Sequence, residues 1–146
     1  MTAIGIDPGL SGALAVLSGT AQTVVPFSEA DYCAELLAVR GVEPIAVVER
    51  VHSMPKQGVA SSFRFGDNYG WIRGVLAALA IPYELVLPQK WKREFGVTAD
   101  KNTAIDVAHR LFPSVSLRRT DKCRTDDDGM AEALLMAEYC RRHFRR

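Results

Sequence analysis

The stretch Ile4-Gly5-Ile6-Asp7-Pro8-Gly9 decides how this chain is read, because an apolar run closes on a carboxylate and a turn signal at once. Residues 3–7 have the length and composition of a strand, and Pro8-Gly9 turns the chain directly after Asp7. Residues 12–17 and 21–25 are two further short apolar runs separated by Gly and polar residues, which predicts three strands joined by tight turns. From Glu29 to Val39, the residues Tyr32, Leu36 and Val39 recur at helical spacing behind Ser28, a capping residue type. Pro44-Ile45-Ala46-Val47-Val48-Glu49 then runs without polar alternation, as a strand buried on both faces does, and it too ends at a carboxylate.

Residues 51–62 mix Ser, Gly, Pro, Lys and Gln without apolar periodicity and predict a loop, of a length often given to function. Phe65, Tyr69, Ile72, Leu76 and Leu79 lie on one stripe of a helix that Pro82 ends. Tyr83 to Leu87 makes a fifth strand, and Pro88 to Phe95 a short helix or turn carrying Lys90, Lys92 and Arg93. Helices are expected over 101–112 and 128–144. Strands alternating with helices imply an α/β fold: a mixed five-stranded sheet, antiparallel over its first three strands and parallel beyond, flanked by helices. Sites in such sheets collect beyond the carboxyl ends of parallel strands, where Asp7 and Glu49 both stand.

A third acidic cluster, Asp126-Asp127-Asp128, opens the last helix, and Glu132 follows Asp128 by four residues, so the two share a helical face with Leu135 and Tyr139. That face should pack on the sheet, which turns Glu132 inward. A turn signal alone accounts for Asp7, and helix capping accounts for one Asp of the cluster. Neither accounts for Glu132 or for the set of Asp7, Glu49, Asp128 and Glu132 together. Several carboxylates and waters are what a hard cation such as Mg²⁺ requires, and two such ions about 3.5–4 Å apart clamp a phosphodiester undergoing in-line displacement.

The length of 146 residues and 48% hydrophobic content suit one packed domain spanning 1–146. No apolar run is long enough to cross a membrane and the N-terminus carries no basic stretch with a cleavage site, so a soluble, uncleaved protein is expected. Cys33, Cys123 and Cys140 are odd in number and widely spaced, which excludes a disulfide framework and a zinc site and fits a reducing cytosol. The formal charge of +1 conceals a division: residues 1–62 hold three Lys/Arg against six Asp/Glu, residues 63–146 fifteen against eleven. If some of those acids hold metal, the surface of the second half is basic enough to face phosphates; the competing reading is ordinary solvated charge.

The ordered set Ile4-Gly5-Ile6-Asp7-Pro8-Gly9, Val47-Val48-Glu49 and Asp128-Gly129-Met130-Ala131-Glu132-Ala133-Leu134-Leu135-Met136-Ala137 resembles the three acidic motifs of RuvC-like Holliday-junction resolvases, the small phage-type and organellar members most of all. The resemblance extends through Met54-Pro55-Lys56-Gln57-Gly58, Phe65-Gly66 and Pro88-Gln89-Lys90-Trp91-Lys92 and covers nearly the whole chain. It implies a ribonuclease H-like fold and a homodimer that binds four-way DNA junctions. With Mg²⁺ or Mn²⁺, such a dimer nicks two strands symmetrically and leaves 5′-phosphates. It also implies that Asp7 bridges two metal ions, Glu49 binds one, and Asp128 with Glu132 completes the site. The last motif departs from that of bacterial members, which carry two aspartates three apart: here Gly129 stands three before Glu132 and the acid is Asp128, leaving Asp127 as a substitute ligand. The implied location is the cytoplasm of a bacterial or phage-infected cell, or an organelle matrix after removal of a targeting segment.

Lys101 falls on the Ile105, Ala108 and Phe112 stripe at a helix start, where its ammonium would reach a scissile phosphate; a snorkelling helix-end lysine is the other reading. His52, Lys56 and Gln57 follow Glu49 closely and are placed to contact a junction, although a lone His beside carboxylates is a poor Mg²⁺ ligand. Phe65 belongs to the core stripe, and Phe63 is left for either core or base stacking. Lys90, Lys92, Arg93, Arg118, Arg119, Lys122 and Arg124 are expected to track phosphates. The basic tail Arg141, Arg142, Arg145 and Arg146 does likewise or balances the helix dipole. Gly66, Gly70 and Gly74 lie on a helical face of their own, which fits a two-fold copy of the same helix or a close neighbour within the chain.

Three functions remain in competition: junction resolvase, broader branched-DNA nuclease, and non-catalytic nucleic-acid-binding module. Retained acids disfavour the last, because they repel phosphates unless metal covers them. Actin-like ATPases also begin with a strand and an acidic turn, but they carry a second nucleotide-closing domain that this length excludes.

Overall fold

Residues 1–52 and 55–144 are described by a computed structural model. Met54 of the quoted motifs and Arg145 and Arg146 of the basic tail lie outside the described residues. The element order is β1 (Thr2–Asp7), β2 (Ala13–Ser18), β3 (Ala21–Pro26), α1 (Glu29–Val39), β4 (Pro44–Glu49), α2 (Val59–Ala78), β5 (Tyr83–Val86), α3 (Pro88–Phe95), α4 (Lys101–Leu111) and α5 (Asp128–His143). The strands form one sheet in the order β3-β2-β1-β4-β5. β1 pairs antiparallel with β2 and parallel with β4, and β4 pairs parallel with β5, so the expected mixed sheet is present.

Because side chains alternate across a strand, each strand supplies two cores. On one face, Ile4, Ile6, Leu14, Val16, Ala46 and Val48 pack with Tyr32 and Leu36 of α1 and Ile72 and Leu76 of α2. On the other, Ala3, Ala13, Ala15, Ile45 and Val47 pack with Trp91 of α3, Ala104 and Ala108 of α4, and the buried side of α5. The second face is lined by small residues at its centre, and Gly5 takes this to the limit. A Cβ on Gly5 would stand under 3.0 Å from Ala137 N and Ala133 O, so the backbone of α5 rests directly on β1.

Most boundaries agree with the sequence expectation to within one residue, and the largest difference is at α2, which begins at Val59, inside the segment 51–62 expected as a loop. Its first turn projects past the core: Val59 is 88% exposed and Phe63 75%, and Gly58 supplies no side-chain cap. Periodicity reports burial, so a turn that buries nothing leaves no such signal. Phe63 therefore stands on an exposed helix surface, outside the core, while Phe65 is partly buried.

The glycine face of α2 points away from the sheet. Gly66, Gly70 and Gly74 each have open space where a Cβ would stand, which removes the reading that a neighbour within the described chain requires them. Ala77 and Ala78 continue this exposed strip.

Gly5→Ala should be strongly destabilising, by about 3 kcal/mol or more, because only backbone can yield to the added methyl. Urea unfolding of the purified variant measures this; a loss below about 1 kcal/mol would show that α5 lifts from β1 without penalty.

Candidate active site

Strand parity brings the first two carboxylates together. Ala3, Gly5 and Asp7 face α5 along β1, and Ile45, Val47 and Glu49 do so along β4. The parallel register pairs Ile6 with Val48, so Asp7 and Glu49 emerge side by side at the carboxyl ends of adjacent strands. α5 delivers the other two. Its first turn lies against the Asp7 turn: a Cβ at Gly129 would meet Ser11 O at 2.8 Å and Asp7 Oδ2 at 3.2 Å. Asp128 and Glu132, one helical turn apart, project from there.

The three consecutive aspartates separate by partner. Asp127 is the N-cap of α5: its Oδ2 accepts from Met130 N at 2.9 Å and from Arg119 Nη1 at 3.2 Å. Arg119 Nη1 also donates to Ser11 O at 2.9 Å, fastening the loop after α4 to the Asp7 turn. Asp126 turns outward, with His109 Nε2 2.7 Å and Arg118 Nε 4.0 Å from its carboxylate. Asp128 remains on the acidic side, with Lys101 Nζ at 3.9 Å.

Burial dominates the electrostatics. It pushes the Asp7 carboxyl well above the ordinary Asp value, and the charges of Glu132, Glu49 and Asp128 push it further against the opposing pull of Lys92. Glu132 is pushed up to about 7 by burial, with Glu49 and Asp128 adding to the rise and Lys92 and Lys101 opposing it. Glu49 is also raised by burial, moderated by the Trp91 indole, whose Nε1 donates to Glu49 Oε2 at 2.9 Å, and by Lys92. Lys92 Nζ lies 3.8 Å from Glu132 Oε1, and of the basic residues named from the sequence it bears on all three of these carboxyls.

Among the described residues, no group of three or more His, Cys, Asp or Glu side chains is arranged to hold a metal ion as it stands. Glu49 is drawn toward Trp91, Glu132 toward Lys92 and Asp128 toward Lys101. The chemistry of the set nevertheless fits a hard divalent cation. Every donor is a carboxylate oxygen, and the raised values mark buried negative charge that the two lysines only partly offset.

The remaining residues named from the sequence spread around this centre. Lys101 is 78% exposed at the rim of a cleft of about 280 Å³ lined by Asp7, Leu10, Phe65, Asp127 and Asp128 among others. Lys90, Arg93, Lys122 and Arg124 are exposed, and their side chains form no hydrogen bond or ion pair among the described residues. Lys56 is exposed, and His52 and Gln57 line a separate cavity beside the end of β4. Arg141 and Arg142 are engaged in structure: both pair with Glu138, and Arg142 Nη1 reaches Glu94 at 3.2 Å, tying α5 to α3. Arg118 and Arg119 are likewise held by Asp126 and Asp127.

Two residues that shape this site carry no acidic or basic signal in the sequence. Trp91 is fully buried and orients Glu49. Asn68 is 4% exposed on the apolar stripe of α2, and its Oδ1 accepts the Gly9 N–H at 2.7 Å, holding the turn that carries Asp7. Asn68→Leu would leave that N–H buried and unpaired and should cost about 1–3 kcal/mol in urea unfolding. An unchanged unfolding midpoint would mean that Gly9 finds another acceptor.

No protein-family model and no curated protein sequence matches this chain. Solved structures do. The structure described as T. thermophilus RuvC in complex with Holliday junction substrate aligns with TM-score 0.64 and 18% identity over 97% of this chain and 95% of that one. A second, the Thermus thermophilus RuvC structure, aligns with TM-score 0.60 and 16% identity over 97% of this chain and 96% of that one. At that identity the likeness is one of architecture: the chain has the ribonuclease H-like fold of RuvC from end to end.

Proposed function

We propose that this protein is a divalent-metal-dependent endonuclease acting on branched DNA, with four-way junctions as its preferred substrate. The observation that carries the reading is the convergence of Asp7, Glu49, Asp128 and Glu132 from three elements onto one half-buried, mutually repelling cluster. Such a cluster opposes folding and finds its use in holding cations. The RuvC fold and the junction substrate of the aligned structure favour branched DNA over other phosphodiesters.

Asp7, Glu49, Asp128 and Glu132 would hold Mg²⁺ or Mn²⁺, which supplies an activated water and charge compensation at the phosphate. The chain's own residues prepare the rest. Trp91 fixes the direction of Glu49. Asn68 and Arg119 secure the Asp7 turn from two sides. Lys101, exposed beside Asp128, meets a phosphate entering the cleft and offsets charge that develops on its oxygens. The exposed Lys90, Arg93, Lys122 and Arg124 hold the flanking backbone, a contribution that weakens with salt. A second reading, a branch nuclease of wider range, shares every one of these residues.

The test is cleavage of four-way, three-way, flap and linear DNA with Mg²⁺ and with EDTA. Four-way junctions should be cut fastest, by symmetric nicks leaving 5′-phosphates, and EDTA should stop the reaction. Asp7→Asn should abolish cutting while leaving junction binding, and it should fold at least as stably because it removes a buried charge. Asp128→Asn and Glu132→Gln should each slow cutting at least about 100-fold, whereas Asp126→Asn, whose side chain serves His109 and Arg118, should not. Near-normal cutting by Asp7→Asn would refute the metal reading, and equal losses at Asp126 would misplace the phase of α5.

The open glycine face of α2 supports a two-fold dimer, in which a copy of the same helix packs there and two sites face two strands. Gly70→Leu separates assembly from folding. In the monomer the side chain enters open space and improves helix propensity, so thermal stability of the subunit should hold or rise. Sedimentation equilibrium should nevertheless shift toward monomer, and paired nicks should become uncoupled. A fully dimeric variant would place the interface elsewhere.

A further inference from the structure

A polar atom taken out of water needs a partner, and the core between the sheet and helices α1 and α2 holds two that find none within the described chain. Tyr32 is fully buried and Asn68 is 4% exposed, yet Tyr32 Oη and Asn68 Nδ2 make no hydrogen bond among the described residues. A third such side-chain atom, Glu138 Oε2, is paired with Arg141, so these two stand as the unmatched ones. The orientation of Asn68 follows from its chemistry. Its oxygen must face the Gly9 N–H that it accepts, which turns the amide nitrogen the other way.

Both side chains reach the turn that carries Asp7. Asn68 holds Gly9 at 2.7 Å. Phe27, whose N–H donates to Gly12 O at 3.1 Å, hangs from the far end of the same turn and meets the Tyr32 ring edge-on at 5.1 Å. Trp71, about one helical turn beyond Asn68 on α2, packs against Tyr32 with its ring 6.3 Å away. Burial holds the Tyr32 proton on well above the ordinary Tyr value, the Asp7 carboxylate adds to this, and Arg119, fastened to Ser11 O of the turn, opposes it. The hydroxyl therefore remains a donor, and it lies at the same end of the core as the Asn68 amide.

We infer that Tyr32 is a positioning residue for Asp7, acting through one interior water that joins Tyr32 Oη to Asn68 Nδ2 on the core side of the Asp7–Gly12 turn. Water suits the place, because it accepts from both donors at once and keeps two protons of its own for carbonyls of the turn. A connected network then holds the turn where the Asn68 bond alone would leave it able to tilt, and the Asp7 carboxylate keeps its direction when a cation draws on it. The inference rests on the metal-site reading above and deepens it, since it adds a residue of α1 to those that fix Asp7.

The test is a double-mutant cycle read by urea unfolding, joined to a Mn²⁺ titration followed by the EPR signal of the free ion. Tyr32→Phe removes the hydroxyl and little else. In the otherwise unmutated protein it should lower the urea midpoint, because a bonded hydroxyl is lost. Made on top of Asn68→Leu, where the water has already lost its other anchor, the same change should leave the midpoint where it was or raise it. Tyr32→Phe should also weaken Mn²⁺ binding about 10-fold, the lower end of what loss of an outer partner costs a metal site. A midpoint raised by Tyr32→Phe alone would mark a hydroxyl without a partner and overturn the proposal. An equal fall in both backgrounds overturns it too, as does an unchanged Mn²⁺ affinity. Absence of Mn²⁺ binding by the unmutated protein would refute the metal reading, a failure distinct from one in the unfolding cycle, which needs no metal.

Discussion

The backbone of α5 touching the backbone of β1 is the constraint on which the rest depends. Gly5 admits Ala133 and Ala137 where any side chain would hold the helix away, and Gly129 repeats the arrangement one end along, against Ser11 and Asp7. Small residues thus set the height of the helix over the sheet, and packing density fixes it there. Because the contact runs the length of α5, the helix cannot rise at its first turn without losing its whole buried side from Met130 to Cys140. Asp128 and Glu132 are held over Asp7 and Glu49 by apolar packing acting at a distance from the charges themselves.

That arrangement sets hydrophobic burial against electrostatic repulsion, and burial prevails. Four acids share a space in which two are held well above their ordinary values, and the nearby ammonium groups, Lys92 and Lys101, compensate only in part. An Ala, Leu or Gln at these positions would relieve the repulsion without disturbing the core below. A fold that carries all four acids on rigid elements concentrates electrostatic strain at one place, the place where the proposed cation would bind. Trp91 and Asn68 show the same economy on the neutral side. Each is a buried polar atom spent on one site element, the first on Glu49 and the second on the Gly9 turn.

The parts of this design that were legible in the sequence are those expressed through periodicity or strand ends. β1, β4 and the stripe of α5 announce themselves because burial recurs at fixed spacing, and the acids stand out because they terminate such runs. Asp127 and Asp128 could not be told apart that way: their difference lies in a cap bond to Met130 and a partner in Arg119, both contacts of the folded chain. Arg118 and Arg119 looked free for phosphate because their acidic partners follow only a few residues later in an irregular segment. The first turn of α2 was hidden for the opposite reason, being helical without being buried. Asn68 carried a faint signal, one amide inside an apolar stripe, whose meaning depends on where Gly9 passes.

α2 gathers these consequences in one element. Its inner side, through Ile72 and Leu76, belongs to the core, and Asn68 on the same side grips the Asp7 turn. Phe65 forms the partition between the acidic cleft and the neighbouring cavity, and the glycine strip on the outer side is open to a partner. Gly66 and Gly70 lie within about one and a half turns of Phe65 and Asn68 on one continuous helix. Were a copy to dock on the outer side, as proposed, it would bear on the same helix that holds the Asp7 turn. Contact order reinforces the point: Gly9 and Asn68 are 59 residues apart in sequence, so the Asp7 turn is secured only once both halves of the chain have met.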